Sequence, residues 1–190
     1  MIYFTSDLHF GHKNAITFTN RPFADVEEMD QKLIENWNKK VHANDEVYIL
    51  GDLTMKGPQY AQDILSQLKG RKYLVRGNHD NFVDGRDFET WRFEWIKDYY
   101  RMNYMNNRII LCHYPFAEWD CARHGSLHLH GHIHSSPEYN LAQREAGMFR
   151  YDVGVDANNY APVSLKEIEA FFECVENGWP AHTDRDGNPT

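Results

Sequence analysis

The first 75 residues alternate short apolar runs with amphipathic stretches. Three apolar runs predict buried β-strands, at Ile2–Thr5, Val47–Leu50 and Tyr73–Val75. Apolar residues recur at helical spacing in the two stretches between them. One stretch opens with the capping box of residues 25–28, and the other runs from Pro58 to Gly70. This alternation predicts parallel strands joined by crossover helices, and therefore an α/β fold.

The second half of the chain follows a different pattern. Residues 81–97 are aromatic and charged without clear periodicity, so no element is predicted there. Tyr99–Met105 and Arg108–Cys112 flank two asparagines and predict a β-hairpin, because Asn tolerates the positive φ of tight turns. Phe149–Val153 predicts another strand, and a capping box at residues 164–167 opens a last helix with Val175 on its apolar face. We expect one domain over residues 1–175 and a polar tail over residues 176–190.

Polar side chains follow each of the first three predicted strands. Residues 6–9 (Ser-Asp-Leu-His) follow the first strand, Gly51 and Asp52 follow the second, and residues 77–80 (Gly-Asn-His-Asp) follow the third. Open α/β folds bind their ligands outside the carboxyl ends of strands, so we expect these side chains to form a site. Taken alone, the Gly-Asn-His-Asp stretch also fits a polar turn.

Composition narrows the class of protein. The chain has 190 residues, 42% hydrophobic and 25% charged, which is ordinary for one globular domain. Its net charge of −8 argues against general binding to nucleic acid or to an anionic membrane, and no apolar run is long enough to span a bilayer. The three cysteines form no CxxC pair, and the first residues enter a strand rather than a leader. We therefore expect a cytoplasmic protein without a disulfide framework.

Histidine is concentrated in one part of the chain, and the polar clusters together make a candidate metal site. Six of the eleven histidines lie within residues 113–134. The candidate ligands are Asp7, His9, Asp52, Asn78, His113, His132 and His134. This oxygen and nitrogen set, with one carboxylate shared, suits two divalent ions of the borderline class, with Mn expected first and Fe, Zn, Co or Ni as alternatives. Two such ions leave the pocket positively charged and suit displacement at a phosphoryl group.

The order of these motifs resembles a known family. Asp7-x-His9, Gly51-Asp52, residues 77–80, His113 and Gly131-His132-x-His134 are similar to the five blocks of calcineurin-like metallophosphoesterases, and most of all to small bacterial and phage members. The resemblance spans the chain to about residue 155. It implies an α/β fold in the form of a four-layer αββα sandwich with two mixed β-sheets.

The resemblance also implies a role for each motif residue. Asp7, His9 and His134 would hold one metal, and Asn78, His113 and His132 would hold the other. Asp52 would bridge the two ions. His79 would face the substrate as a proton donor or charge stabiliser, with Asp80 orienting it. The family often has Glu at the position of Asp80, so this pairing departs from its usual form.

Other residues near the motifs are weaker candidates. The possible substrate contacts are His12, Arg21, Arg76, Arg123 and His124, each with a solvated loop or a structural ion pair as the alternative. His128 and His130 alternate with the candidate ligands, and we expect solvent-facing strand positions for them, with a place behind the ligands as the alternative. Aromatic side chains in loops could stack on a base or aryl group: Phe82, Trp91, Tyr114, Phe116 and Trp119.

The expected function is hydrolysis of a phosphoester, on a small molecule or nucleotide, by direct attack of a metal-bound hydroxide. We expect a phosphodiesterase rather than a phosphomonoesterase, because no basic cluster is visible that would bind the second charge of a monoester. A nuclease of the same family is one alternative, although extended nucleic-acid binding conflicts with the net charge. A non-catalytic metal-binding interaction domain is the other, but such a domain would be expected to lack a ligand or His79.

Overall fold

Two β-sheets packed face to face form the centre of the molecule. The computed structural model describes residues 1–105 and 107–172. The described strands are β1 (Ile2–Thr5), β2 (Glu46–Ile49), β3 (Arg71–Val75), β4 (Ile96–Lys97), β5 (Tyr100–Tyr104), β6 (Asn107–Leu111), β7 (Leu127–His130), β8 (Arg150–Asp152) and β9 (Val163–Ser164). The described helices are α1 (Lys13–Phe18), α2 (Val26–Lys40), α3 (Pro58–Gln67), α4 (Pro137–Glu145) and α5 (Leu165–Phe171).

The sheet topology brings the carboxyl ends of most strands to one edge of the molecule. The first sheet has the order β4-β3-β2-β1-β9, in which β1 to β4 are parallel and β9 is antiparallel to β1. The second has the order β5-β6-β7-β8, with the predicted β5–β6 hairpin followed by parallel pairs. A bridge between Ser6 and Gly154 joins the two sheets just beyond the ends of β1 and β8. Loops that follow strands of both sheets therefore meet at this edge.

Alternation along the first three strands explains why their sequences are apolar throughout. Tyr3, Val47, Ile49 and Leu74 point to one face and pack against residues of α2 and α3. The intervening residues point to the other face and pack against the second sheet. They are Phe4, Tyr48, Leu50, Tyr73 and Val75. Burial on both faces is typical of a parallel sheet inside an α/β protein.

The N-terminal caps that the sequence predicts for α2 and α5 are present in the structure, with one difference at α2. Asp25 accepts a hydrogen bond from the Glu28 amide, but the Glu28 side chain accepts from Ala24 rather than from Asp25. The capping box of Ser164 and Glu167 is complete. Two helices were not expected: α1 lies in a segment that begins as a polar loop in the prediction, and α4 has a weak apolar stripe.

The unexpected helix α4 supplies the fourth layer. It packs on β8, where Asn140 donates to the backbone oxygen of Asp152 and accepts from its amide. With α1 to α3 on the other side of the sandwich, the α/β four-layer prediction is confirmed. Asn106 of the hairpin turn, Cys174 and Val175, the domain boundary at residue 175 and the tail of residues 176–190 lie outside the described residues.

Candidate metal centre

The seven predicted ligands converge at the shared edge of the two sheets. Each follows the carboxyl end of a strand: Asp7 and His9 follow β1, Asp52 follows β2, Asn78 follows β3, His113 follows β6, and His132 and His134 follow β7. Backbone hydrogen bonds of 3.0 Å extend the β1–β2 pairing into the loops, from Asp7 to Gly51 and from His9 to Asp52. The loops are therefore fixed to the sheet that carries them.

Most of these residues have left-handed backbone conformations. The φ angles are 57° at Asp7, 51° at His9, 57° at Asp52, 73° at His132 and 47° at His134. A non-glycine residue in this region costs about 1–3 kcal/mol and persists only where the surroundings hold it. Five such residues at one edge of the sheet indicate that the loops are shaped for a function rather than for stability.

Two glycines of the motifs allow this close packing. A Cβ added at Gly131 would overlap Ser6 Oγ and Asp7 Oδ2, and one added at Gly77 would overlap Asp52 Oδ1. Any larger residue at these positions would displace a candidate ligand. The glycines therefore serve the approach of backbone to carboxylate.

The first group of candidate ligands contains Asp7, His9 and His134. The Nε2 atoms of the two histidines are 3.2 Å apart, and Nε2 of His134 lies 3.7 Å from Asp7 Oδ1. Asp7 is fully buried; its Oδ2 accepts from the His132 amide, while its Oδ1 has no hydrogen-bond partner among the described residues. Burial raises the pKa of this carboxyl to about 6, against the opposing effect of His134. A buried oxygen in this position favours a cation beside it.

The second group surrounds His113. Its Nδ1 donates to the Leu50 carbonyl at 2.8 Å, which leaves Nε2 as an acceptor in the neutral ring. Nε2 then lies 3.0 Å from Asn78 Oδ1 and 3.2 Å from His132 Nδ1. Nε2 of His113 and Oδ1 of Asn78 are then both acceptors, so no hydrogen bond joins them. A cation bound to both atoms would stabilise this close contact.

Asp52 lies between the two groups. Its Oδ2 is 3.6 Å from Nε2 of His9 and 3.6 Å from Nε2 of His113. Its Oδ1 accepts from the His79 amide at 2.9 Å, so the carboxylate is held from behind. One carboxylate oxygen thus lies at equal distance from a ligand of each group.

These separations are close to those that metal coordination produces. Two atoms that each lie about 2.1 Å from one ion are about 3.0 Å apart at a right angle and about 3.4 Å apart at the tetrahedral angle. Two sets of side chains bring their ligand atoms within 4.8 Å of one another: Asp7, His9 and His134, and Asp7, Asp52 and His113. Burial lowers the pKa of His9 to about 2, which keeps its ring neutral and able to bind a cation. The residues present therefore fit divalent metal ions.

A buried ion pair between Arg21 and Asp156 holds the ring of His134 in place. Arg21 was predicted as a possible substrate contact, and the structure contradicts that prediction. Arg21 is 3% exposed; its guanidinium binds Asp156 at 2.8 and 2.9 Å and also donates to the Asp7 and Leu8 carbonyls. It is a structural group and not a substrate contact. Asp156 Oδ2 also accepts from Nδ1 of His134 at 2.8 Å.

The sequence motifs did not identify Asp156 as a residue of the site. Burial would raise its pKa, but the hydrogen bonds from His134 and Arg21 lower the pKa to about 2. Burial opposes protonation of His134, but the hydrogen bond to Asp156 and the charge of Asp7 raise its pKa. The position of Asp156 in the sequence could have identified it, because it follows β8 just as the candidate ligands follow the neighbouring strands.

The structure corrects the predicted pairing of Asp80 with His79. Asp80 is fully buried, and its oxygens accept from the amides of Asp52 and Gly77 (2.9 and 2.8 Å) and of Leu53 (2.9 Å). Burial raises the pKa of its carboxyl, and the backbone donors oppose that rise. Asp80 therefore ties the loop after β3 to the loop after β2. The His79 side chain is 38% exposed, with Nε2 4.0 Å from Asp52 Oδ2.

The expectation of solvent-facing positions for His128 and His130 is wrong. Both side chains are fully buried on the outer face of the second sheet, and burial lowers the pKa of each to about 4. Nε2 of His128 accepts from the Phe116 amide at 3.0 Å, and Nε2 of His130 lies 3.2 Å from the Tyr139 hydroxyl. They anchor the loop after β6 and helix α4, which cover this face.

The remaining candidate contacts occupy different places. His12 stays beside the site, with its ring centroid 5.5 Å from that of His9. Arg76 is paired with Asp84 at 2.5 Å, which favours the ion-pair alternative. Arg123 and His124 line a cavity of about 550 Å³ next to residues that precede β7 and β8. The candidate ligands follow the strands, so this cavity belongs to the other end of the second sheet.

One of the five loop aromatics lies against the candidate ligands. The Tyr114 ring is 43% exposed and lies edge-on to His113 and His132, with centroid distances of 5.0 and 4.7 Å. Phe116 and Trp119 pack on His128, Phe82 is buried in the core, and Trp91 is exposed beside Arg92. A stacking role at the site is therefore open to Tyr114.

Comparisons with known proteins agree with this geometry. The family model described as calcineurin-like phosphoesterase matches residues 1–153. An uncharacterized protein of Methanocaldococcus jannaschii is 35% identical over 189 residues, 97% of each chain, and the gene 66 protein of Mycobacterium phage L5 is 31% identical over 95% of this chain and 98% of its own. A protein of unknown function from Aquifex aeolicus has a similar solved structure, with a TM-score of 0.72 and 29% identity over 90% of this chain and 98% of its own.

The described helices include none with the length and apolar character that a membrane crossing requires. Three observations support the same family assignment. The loops after the strands contain left-handed residues, and carboxylates and imidazoles form two groups of candidate ligands. The family model matches four fifths of the sequence. The chain belongs to the calcineurin-like phosphoesterase family.

Proposed function

We propose that the protein hydrolyses phosphodiesters of small molecules or nucleotides with two divalent metal ions, Mn²⁺ first among them. The observation that carries the proposal is the position of Asp52 Oδ2, which is 3.6 Å from a histidine of each ligand group. Asp7, His9 and His134 would hold one ion, and Asn78, His113 and His132 the other. An imidazole-rich set without thiolates favours borderline ions over Ca²⁺ or Mg²⁺.

The ligand charges suit an anionic substrate. With two dications bound, Asp7 and Asp52 would bring two negative charges and the coordinating histidines and Asn78 none, so the pocket would keep an excess positive charge. The ions, when bound, lower the pKa of water and stabilise charge on phosphoryl oxygens. The chain itself places the ligands on loops that are tied to the sheets and holds His134 through Asp156.

His79 is the group best placed to assist the leaving oxygen. Its amide donates to Asp52 Oδ1, and its ring lies on the open side of the site, 5.6 Å from the ring of His9. The attacking water loses a proton to solvent as its oxygen bonds to phosphorus, and the bond from phosphorus to the leaving oxygen breaks. The His79 imidazolium gives its proton to that oxygen, which departs as an alcohol.

Charge pairing supports a diester over a monoester. Arg21 and Arg76 are engaged by Asp156 and Asp84, so neither guanidinium is free to bind the second charge of a monoester. The net charge of −8 favours small substrates over extended nucleic acid.

The thiols of Cys112 and Cys121 are free, and we place the protein in the reducing cytoplasm.

The proposal is tested by metal reconstitution. Chelator-treated protein is titrated with Mn²⁺ or Ca²⁺ and assayed on bis(p-nitrophenyl) phosphate and p-nitrophenyl phosphate. We expect no turnover without metal, recovery at two Mn²⁺ per chain, weak recovery with Ca²⁺, and faster cleavage of the diester. Full activity in metal-free protein would overturn the proposal. Binding of Mn²⁺ without turnover of any ester would favour the non-catalytic metal-binding alternative.

A further inference from the structure

A second, smaller cavity opens beside His79. It has a volume of about 280 Å³ and is lined by Met55, Lys56, Gly57, Pro58, His79, Asn81 and Phe82. We propose that this cavity receives the leaving group of the ester, and that Lys56 selects leaving groups with an anionic substituent of their own, a carboxylate or a phosphate. The inference rests on the proposed function and names the substrate class for the same site.

The cavity lies on the side of the site where the leaving oxygen is expected. His79 belongs both to its wall and to the surroundings of the candidate metal ligands, with Nε2 4.0 Å from Asp52 Oδ2. A group that receives a proton from His79 must lie on the exposed side of that ring. The part of the substrate attached to this oxygen then extends into the space between His79 and residues 55–58.

The walls combine apolar surface with one lysine, Lys56. Met55, which is 48% exposed, and Pro58 offer apolar contacts, and Phe82 is a buried apolar residue of the lining. Lys56 has no carboxylate within 4.0 Å of its ammonium group among the residues that the structure describes. This differs from Arg76, whose charge is engaged by Asp84.

One acid near Lys56, Asp30, already accepts hydrogen bonds from other groups. Asp30 lies within electrostatic range of Lys56, but its oxygens accept from the Gly11 amide at 3.0 Å and from the Tyr60 hydroxyl. The ammonium group of Lys56 therefore keeps donors for an anion that enters the cavity. An alcohol without a negative group would leave this cation without a partner.

The volume limits the size of the leaving group. Cavities that bury a drug-sized ligand measure about 300–1,000 Å³, and this one lies just below that range. The cavity therefore accommodates a single ring or sugar with one anionic substituent.

The test uses two matched diesters, methyl phenyl phosphate and methyl 3-carboxyphenyl phosphate, whose leaving groups differ by one carboxylate. The Mn²⁺-loaded enzyme is assayed on both, and the ratio of kcat/KM, carboxylated over plain, is the readout. We expect this ratio to fall about tenfold in Lys56→Gln, the effect of one charge-assisted hydrogen bond, and further in Lys56→Glu. Lys56→Arg keeps most of it. Lys32→Gln removes an exposed lysine of α2 and keeps the wild-type ratio.

Binding provides a readout that does not depend on turnover. Calorimetry compares methyl benzylphosphonate with methyl 3-carboxybenzylphosphonate, in which a carbon–phosphorus bond replaces the scissile ester bond. Tighter binding of the carboxylated compound, lost in Lys56→Gln, supports the inference even if the esters are not cleaved, in which case the proposed function alone fails. Equal ratios and equal affinities in wild type, Lys56→Gln and Lys56→Glu would overturn the inference and leave the proposed function intact.

Discussion

Asp156 Oδ2 accepts a hydrogen bond of 2.8 Å from Nδ1 of His134, and the same carboxylate binds the buried guanidinium of Arg21. The hydrogen bond holds a proton on Nδ1 of His134 and leaves Nε2 facing His9 and Asp7. Arg21 in turn donates to the Asp7 and Leu8 carbonyls. One side chain that follows β8 thus orients a candidate ligand and is tied to the loop that carries two others.

Asp156→Asn tests this relationship. The amide can still accept from His134 but lacks the charge that balances Arg21, so we expect Mn²⁺ affinity to fall about 10- to 100-fold. Calorimetric titration measures the affinity, and urea unfolding of the metal-free protein measures the accompanying loss of stability. Asp63→Asn, an exposed carboxylate on α3, is the control and changes neither. Unchanged affinity in Asp156→Asn would show that the position of His134 does not depend on this carboxylate.

Asp52→Asn tests the shared carboxylate. The substitution keeps the size of the side chain but removes a charge that lies between His9 and His113. We expect fewer than two Mn²⁺ per chain and a fall in kcat of at least about 10²-fold. Elemental analysis gives the metal content, and diester hydrolysis gives the rate. Two retained metals with a near-normal rate would reduce Asp52 to an acceptor for the His79 amide.

His79→Ala tests the proton donor. We expect both metals to remain and kcat to fall on the order of 10²-fold for alkyl or nucleoside leaving groups. The loss is much smaller for p-nitrophenolate, which leaves without a proton. His42→Ala, whose side chain is 82% exposed, is the control and changes neither rate. Equal losses on both esters would make His79 a charge stabiliser, and loss of metal would make it a ligand.

Asp80→Asn separates support of the loop from orientation of His79. The amide nitrogen of Asn would face backbone N–H groups where Asp80 now accepts from Gly77, Asp52 and Leu53. We expect the free energy of unfolding to fall by about 3 kcal/mol, and turnover to fall by the same factor for every leaving group. Asp84→Asn, an exposed neighbour, is the stability control. A loss confined to poor leaving groups would restore Asp80 as the partner of His79.

The sequence determined the elements and the types of ligand. Periods of two and of 3.6 residues encode which face of a strand or helix is buried, so β1 to β3, α2, α3 and the hairpin follow from local pattern. The candidate ligands follow strands directly, and parallel strands bring their carboxyl ends together. Seven candidate positions could therefore be proposed before any distance was known, and the family resemblance implied a role for each.

The tertiary structure decided which side chains face each other across long separations. Arg21 and Asp156 are 135 positions apart, and their pairing depends on how the loops after β1 and β8 meet at the bridge from Ser6 to Gly154. The cavity between Lys56 and His79 likewise joins two loops that the sequence separates.

Two errors have the same physical origin. Alternation along β7 correctly places His128 and His130 on the face opposite Leu127 and Leu129, but alternation cannot tell whether that face is covered. Helix α4 and the loop after β6 cover it. Asp80 was paired with its neighbour in sequence, whereas left-handed turns at residues such as Asp52 bring backbone amides to it instead. Local pattern encodes periodicity, and only the packed chain decides which surfaces and donors meet.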